Sequence, residues 1–151
     1  MGTNPGSIAA DNSGNIYVAC TGDYGTIAPK LVKVSLSTSK VVLSVDSAVG
    51  TIRYYNNGLF TTGGYLGTAK VGILNPSDLS AMRSSFVTDG TIIVNPYGLD
   101  IDPATGDVYV GDAFDYTSSG KVYCFDKSGK KKFNFSTSPG ISPIRTQLIQ
   151  Q

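Results

Sequence analysis

Residues 95–135 read NPYGLDIDPATGDVYVGDAFDYTSSGKVYCFDKSGKKKFNF, and this stretch decides the fold. Its apolar residues come in short runs, which are separated by clusters of Gly, Pro, Asp and Ser that are typical of turns. The pattern predicts four β-strands, at 97–102, 107–111, 121–126 and 132–137. Because tight turns join neighbouring antiparallel strands, we expect the four to form one antiparallel sheet.

The same pattern occurs earlier in the chain. Asn4-Pro5 recurs as Asn95-Pro96, 91 residues later, and Tyr17-Val18 recurs as Tyr109-Val110, 92 residues later. Two periods of roughly 45 residues indicate a β-propeller, whose blades are four-stranded sheets of about that length. A third, more divergent unit is expected between the two copies, where Asn57-Gly58 gives a strong hairpin signal.

We therefore predict an all-β fold: a β-propeller fragment of about three four-stranded antiparallel blades plus one extra innermost strand. The chain is expected to form a single partial domain, 1–151, with blades at about 4–46, 47–94 and 95–138. Residues 139–151 would supply the first strand of a further blade. The expected strands are 7–10, 15–20, 31–36 and 41–45 in the first blade and 51–55, 59–62, 70–74 and an outer strand near Phe86 in the second.

The composition excludes several classes of function. The chain contains no His, and all eleven of its acidic residues are Asp, so the usual general base and zinc ligand are missing and any carboxylate pair must be Asp with Asp. This argues against most hydrolase designs. A net charge of +1 with interleaved Lys and Asp leaves no basic face, which argues against nucleic acid as a partner.

The two cysteines and the N-terminus suggest little chemistry of their own. Cys20 and Cys124 each lie inside an apolar strand pattern, which favours buried free thiols over a disulfide or a reactive thiol. The N-terminal residues lack the pattern of a signal peptide, and no apolar run is long enough to span a bilayer. We expect the start to be a fragment boundary, so the missing signal does not place the protein in the cytoplasm.

The third blade resembles the last blade of YVTN-type, YncE-like propellers, which are found among exported surface proteins of gut Bacteroidetes. The following Gly-Ile-Ser-Pro-Ile at 140–144 resembles the Gly-x-x-Pro motif near the end of those chains. The resemblance covers the third blade and the tail closely, the first blade well and the second weakly. Members of that family are usually complete rings of about seven blades. The resemblance therefore implies an exported protein of the cell surface or periplasm, often a lipoprotein, for which mostly no activity has been assigned. The N-terminal half of such a ring is absent from this chain.

Two equivalent loops carry the first candidate binding residues. Asp23 and Tyr24 recur as Asp115 and Tyr116 after the second strand of their blades, and Asp112 precedes the latter pair. The functional interpretation is a polar and aromatic surface for a glycan, a peptide or a cation. The structural interpretation is that each Asp caps its turn while each Tyr packs on a neighbouring blade, and repetition in two blades favours it.

Predicted innermost strands carry the remaining candidates. Asp100 and Asp102 alternate with apolar residues, so both are expected on one side of the strand, where they could bind a metal such as calcium. Asp102 could more simply anchor the following turn. In the second blade Arg53, Tyr54 and Tyr55 would border the central channel of the propeller, towards which Asp100 and Asp102 are also expected to point. Arg53 could bind an anionic ligand there.

These features favour a non-catalytic ligand-binding or scaffold propeller with a glycan or peptide ligand and no cofactor. One alternative is a calcium-assisted propeller enzyme of the lactonase or lyase type, and another is an assembly fragment without independent function. Three blades are expected to expose two open sheet edges and an unfilled inner face. We therefore expect a second copy of the chain, as in a homodimer, or a missing N-terminal half to complete the ring.

Overall fold

The computed structural model describes residues 2–63 and 70–143. Within them the chain is built of β-strands joined by turns and loops, and no described segment forms a helix that could cross a membrane. The strands are β1 (Pro5–Ala10), β2 (Asn15–Cys20), β3 (Lys30–Ser35), β4 (Lys40–Asp46), β5 (Val49–Tyr55), β6 (Gly58–Gly63), β7 (Val71–Leu74), β8 (Ala81–Arg83), β9 (Pro96–Ile101), β10 (Val108–Asp112), β11 (Ser119–Phe125) and β12 (Lys131–Pro139).

The strands form three four-stranded sheets, each an antiparallel meander in chain order. Blade one contains β1 to β4, blade two β5 to β8 and blade three β9 to β12, with β5 lying between β1 and β9. The predicted all-β, partial β-propeller fold of three four-stranded antiparallel blades is confirmed. The extra innermost strand was predicted at 144–149, which lies outside the described residues.

Asp residues shape the turns that join the first and second strands of blades one and three. In blade one, Asp11 Oδ1 accepts hydrogen bonds from the backbone N–H groups of Ser13 and Asn15 at 2.8 and 2.9 Å. The turn then needs a left-handed residue, which Gly14 supplies at φ 77°. Asp102 and Gly106 repeat this arrangement in blade three, with the same φ of 77° at the glycine. The repeated Asp and Gly thus have a local structural cause.

The core consists mainly of two apolar layers, one in each joint between blades. Alternate residues of a strand point to opposite faces of its sheet, so each inner blade surface packs on the next blade. The layer between blades one and two contains Ala9, Tyr17, Ala19, Leu31, Val49, Ile52, Leu59 and Leu79. The layer between blades two and three contains Phe60, Val71, Ile73, Phe86, Ile93, Leu99, Ile101, Val108, Val110, Tyr123 and Phe125. Packing between blades, not pairing within them, therefore buries most of the large side chains.

The prediction of an outer strand near Phe86 was wrong. The fourth strand of blade two is Ala81–Arg83, only three residues long, and Phe86 follows it in an irregular segment. Phe86 is fully buried, and its ring makes edge contacts with Phe60 and Phe125 at centroid distances of 5.5 and 6.1 Å. Phe86 is apolar because its side chain packs between blades two and three, and not because it belongs to a strand.

Both cysteines are buried and free, as the sequence predicts. Burial raises the pKa of the Cys124 thiol, which favours the unreactive protonated form at neutral pH.

Candidate functional site

The candidate loops of blades one and three lie at the same end of their sheets. The end of β2 at Cys20 pairs with the start of β1 at Pro5, and the end of β10 at Asp112 pairs with the start of β9 at Pro96. The loops that follow β2 and β10 therefore lie beside the residues that begin each blade. We call this end of the blades the upper rim.

Asp112 organises the upper rim of blade three. Its side chain is buried, and its carboxylate accepts three backbone hydrogen bonds, from Val94 and Asn95 at 3.0 and 2.8 Å and from Phe114 at 3.0 Å. The first two donors precede β9, whereas the third lies in the loop after β10. One carboxylate thus fixes the loop against the residues that begin the blade, and hydrogen bonds to a charged acceptor are among the stronger ones.

Three aromatic side chains project from this fixed rim. Tyr97, Phe114 and Tyr116 are each between 44% and 49% exposed, and we call them the aromatic surface. The rings of Tyr97 and Tyr116 meet edge to face, with centroids 5.5 Å apart and planes at 89°. Val94, in the segment that Asp112 holds, is also half exposed. The rim of blade three therefore presents apolar surface that the fold could have buried but does not.

Aromatic residues on this rim occupy a strained backbone conformation. The φ angles are 50° at Phe114, 66° at Tyr116 and 60° at Tyr24 in the equivalent loop of blade one. A bulky residue in this left-handed region costs about 1 kcal/mol or more relative to glycine. Such a conformation persists only where the surrounding structure holds the backbone in place.

The predicted Asp residues of these loops hold the turns. Asp23 Oδ1 accepts the N–H groups of Gly25 and Ile27 at 2.9 and 2.8 Å, and these bonds, Ile27 first, lower the pKa of its carboxyl. Asp115 Oδ1 accepts the N–H groups of Thr117 and Ser118 at 2.9 and 2.6 Å, and Ser118 has the largest effect in lowering its pKa. Each Asp therefore has the turn-forming contacts that the structural interpretation expects.

The tyrosines beside them differ from the structural interpretation in their exposure. Tyr24 and Tyr116 lie mainly on the surface of the upper rim, with 64% and 49% of their area exposed. In each loop the Asp therefore shapes the backbone, and the Tyr exposes its ring to solvent.

The structure gives Asp100 and Asp102 different partners. Asp100 Oδ1 lies 3.4 Å from Nε of Arg53, on the neighbouring innermost strand, in a partly exposed ion pair. Asp102 accepts the N–H of Ala104 at 2.9 Å and the hydroxyl of Thr105 at 2.8 Å, so it anchors the following turn. In 2–63 and 70–143 no group of three or more His, Cys, Asp or Glu side chains could hold a metal ion. Calcium at this pair stays a prediction.

Arg53, Tyr54 and Tyr55 are not brought together into one site. Tyr54 packs against the layer between blades one and two, whereas Tyr55 packs against the layer between blades two and three. Successive residues of a strand point to opposite faces, and in a propeller both faces are joints. Arg53, besides its contact with Asp100, donates from Nη1 to its neighbour Ile52 O at 2.9 Å. An anion at Arg53 stays a prediction.

The sequence interpretation missed Tyr97 and Phe114 as members of the rim surface. Tyr97 occupies the place of Gly6 in blade one, and Phe114 directly follows the short Gly-Asp-Ala segment. The signal that could have revealed them is the collection of three aromatic residues in the two rim segments of one blade. Their proximity depends on how the loop after β10 lies against the start of β9, which the tight turn between the two strands does not specify.

Comparisons with known proteins support the architecture. No protein-family model matches the sequence, and no curated protein is significantly similar to it. A solved structure, that of a quinoprotein alcohol dehydrogenase-like protein from Bacteroides thetaiotaomicron, is similar with a TM-score of 0.67 at 13% sequence identity. The similarity covers 87% of this chain and 33% of that protein, so the chain spans about a third of its length. At this identity the likeness shows the propeller fold and no more.

Proposed function

We propose that the chain is part of a non-catalytic β-propeller that binds a glycan or a peptide at the aromatic surface of its upper rim. The observation that carries this proposal is the exposed cluster of Tyr97, Phe114 and Tyr116, held by the buried carboxylate of Asp112. Phe114 and Tyr116 keep a left-handed backbone conformation without a ligand, so their rings are already positioned for binding.

The chemistry of the rings suits ligands with both apolar and polar parts. A tyrosine ring offers a flat face to the C–H side of a sugar or to an apolar peptide side chain, and its hydroxyl can bond to a ligand hydroxyl or amide. Aromatic side chains lose little conformational entropy on binding because they have two χ angles, which is why rigid aromatic groups are common in recognition surfaces. Tyr97 and Tyr116 would provide both kinds of contact, and Phe114 an apolar one.

A glycan array and a peptide array, probed with the labelled chain, test this proposal. We expect binding by the unaltered chain that is reduced at least tenfold by Tyr116→Gly, because this substitution removes the ring without adding backbone strain at φ 66°. Phe133→Ser is the matched control, since Phe133 is an equally exposed ring on the outermost strand of the same blade. Its register places it level with Asp100, further from the upper rim. This substitution should leave array binding unchanged.

Two results would contradict the proposal. One is the absence of any bound glycan or peptide on both arrays by the folded chain. The other is binding that Tyr116→Gly leaves unchanged. Tyr24→Gly distinguishes the loop of blade one from that of blade three. If Tyr24→Gly abolishes binding and Tyr116→Gly does not, the ligand binds at blade one and the assignment to blade three is wrong.

An exported YVTN-type, YncE-like protein of the cell surface or periplasm is the setting that we propose for this propeller. The support is the sequence resemblance of residues 95–144 to the last blade of such proteins. Detecting the natural protein in a surface or periplasmic fraction of its source cells, and not in the cytoplasmic fraction, is the expected result. The reverse distribution would exclude an exported protein.

A further inference from the structure

An open pocket lies at the upper rim of blade two, and we call it the blade-two pocket. Val49, at the start of β5, pairs with Gly63, at the end of β6, and both residues line the pocket. Its volume is about 210 Å³. Since an apolar cavity of about 150 Å³ can hold benzene, the blade-two pocket has room for a small organic molecule.

The pocket lies on the side of blade two that faces blade one. Thr61 pairs with Ile52 on one neighbouring strand and with Gly72 on the other, so these three positions share one face of the sheet. Ile52 and Val49 belong to the apolar layer between blades one and two, and Leu74 packs against it. Val49 and Leu74 also line the pocket, so the joint between the blades gives the pocket an apolar wall.

A largely buried hydroxyl group opens into this pocket. Thr61 is only 5% exposed, and within residues 2–63 and 70–143 no group forms a hydrogen bond with its hydroxyl. In the same residues every fully buried side-chain oxygen or nitrogen has a hydrogen-bond partner, so the Thr61 hydroxyl keeps its small solvent contact through the pocket that it lines. Gly72 leaves the space beside this hydroxyl open, because a Cβ atom there would lie 3.5 Å from Thr61 Oγ1. A ligand that bonds to this hydroxyl would satisfy a polar group that the fold has removed from most of the solvent.

The mouth of the pocket carries a positive charge. Lys70 is exposed and lines the pocket two residues before Gly72, on the same face of the strand. In the described part of the chain no carboxylate pairs with its ammonium group. Arg83 also lines the pocket, but its Nη2 donates to Phe86 O at 2.8 Å. None of the described residues that line the pocket is acidic, so its charge favours an anion.

We propose that the blade-two pocket binds a small carboxylate that carries a short aliphatic group. The Thr61 hydroxyl donates a hydrogen bond to the carboxylate, and Lys70 supplies the opposite charge. The aliphatic group packs against Val49 and Leu74. Apolar walls with a few placed polar groups are typical of small-molecule sites. Carboxylate binding here does not depend on a glycan or a peptide at the aromatic surface, which lies on blade three.

NMR titration of the full chain with isovalerate and with its neutral amide, isovaleramide, tests this site. We expect isovalerate to shift the backbone signals of residues that line the pocket, and isovaleramide to bind about tenfold more weakly because it lacks the charge. Lys70→Gln should weaken isovalerate binding about tenfold and abolish the preference for the carboxylate over the amide. Lys127→Gln is the matched control, since Lys127 is also exposed but lies in the turn after β11 of blade three. It should leave both affinities unchanged.

Two further variants test the inner part of the pocket. Thr61→Val replaces the hydroxyl by a methyl group of similar size and should weaken isovalerate binding about tenfold. Because the hydroxyl has no partner among the described residues, urea denaturation should show no loss of stability in this variant. Gly72→Ala adds a methyl group in ordinary contact with Arg83 O and Thr61 Oγ1, at 3.4 and 3.5 Å, so it should fill the pocket and reduce binding in a folded chain.

Several results would overturn the proposal. Isovalerate that shifts no signal of the pocket-lining residues would exclude the site. Unchanged isovalerate affinity in Lys70→Gln or in Thr61→Val would exclude the assigned contacts. A Thr61→Val variant that is markedly less stable than the unaltered chain would show that the hydroxyl serves the fold and not a ligand.

Discussion

Blades one and three are near copies that treat their upper rims differently. Where blade one has Cys20 at the end of its second strand, blade three has Asp112, and both side chains are buried. The thiol packs in an apolar cluster with Val18 and Val32. The carboxylate instead fastens the following loop to the residues that begin the blade, and an aromatic cluster follows. The two rims therefore differ in how the loop is held, because only the loop of blade three is tied by a buried carboxylate to the residues that begin its blade.

The same two blades also differ in what surrounds equivalent residues. Ile8 and Leu99 have the same type and register, yet one is exposed and the other is buried by blade two. The difference shows that the burial of this innermost-strand position depends on the neighbouring blade. Its sequence position does not reveal whether that neighbour is there.

Leu99→Ala and Ile8→Ala should give the largest contrast. Deleting a fully buried leucine costs roughly 2–5 kcal/mol, because the transfer free energy is lost and a cavity remains. Truncating the exposed Ile8 should cost less than about 1 kcal/mol. Urea denaturation of both variants measures the free energies of unfolding. Equal costs would contradict the burial of Leu99 in a joint between blades and the exposure of Ile8.

Asp112→Ala should have the next largest effect. The substitution leaves the N–H groups of Val94, Asn95 and Phe114 without their buried acceptor, at a cost of about 2–4 kcal/mol. Asp115→Ala is the control, because Asp115 is exposed and water can replace it, so about 1 kcal/mol or less is expected. Thermal unfolding measures both, and NMR should show altered ring signals of Tyr97 and Tyr116 in the first variant. Unchanged ring signals would contradict the role of Asp112 in positioning the rim.

The repeated turn residues Asp11 and Asp102 should both have a pKa below the ordinary value of an Asp carboxyl. Although burial opposes it, hydrogen bonds from Asn15, Tyr17 and Ser13 lower the pKa of Asp11 to about 2. The folded form then binds the proton less readily than the unfolded chain, whose Asp pKa is about 4. The resulting stability is present above pH 4 and is lost as the pH falls towards 2. NMR titration should detect the low pKa of Asp11.

The variant Asp11→Asn provides the check on this titration. Without the carboxylate, the free energy of unfolding should depend less on pH between 4 and 2, while at neutral pH the variant should be less stable than the original chain. Asp102→Asn tests the equivalent turn, where hydrogen bonds from Ala104 and then Thr105 lower the pKa. Identical pH dependence in Asp11→Asn and the unaltered chain would show that Asp11 does not carry the effect.

The smallest expected difference concerns the backbone under Tyr116. At φ 66° a glycine is unstrained whereas alanine is not, so Tyr116→Gly should be more stable than Tyr116→Ala by about 1 kcal/mol. Both variants lose the contact with the ring of Tyr97, so their difference isolates the backbone strain. Urea denaturation of the pair measures it. A glycine variant less stable than the alanine variant would contradict a strained loop.

Local patterns predicted most of the fold, and contacts beyond the local sequence explain the misses. The strands of blade three and the turns at Asp11 and Asp102 followed from alternation and turn residues, because strands and tight turns are set by neighbouring residues. Phe86 was misassigned because its ring fills a joint between blades that are distant in sequence. Tyr97 and Phe114 were missed as partners of Tyr116 for a different reason: all three lie in blade three, but the hydrogen bonds of Asp112 set the position of the loop after β10, and no turn motif specifies them.

The sequence by itself determined the repeat, the four-stranded unit and the turn chemistry, since each depends on residues within a single blade. The tertiary structure alone decided which equivalent residues are covered, as with Ile8 and Leu99, and which polar residue organises a rim, as with Asp112. Both depend on contacts between segments that meet only when strands pair and blades pack. Burial and buried hydrogen bonds depend on those contacts. Equivalent residues of two repeated blades can therefore have different neighbours and different exposure.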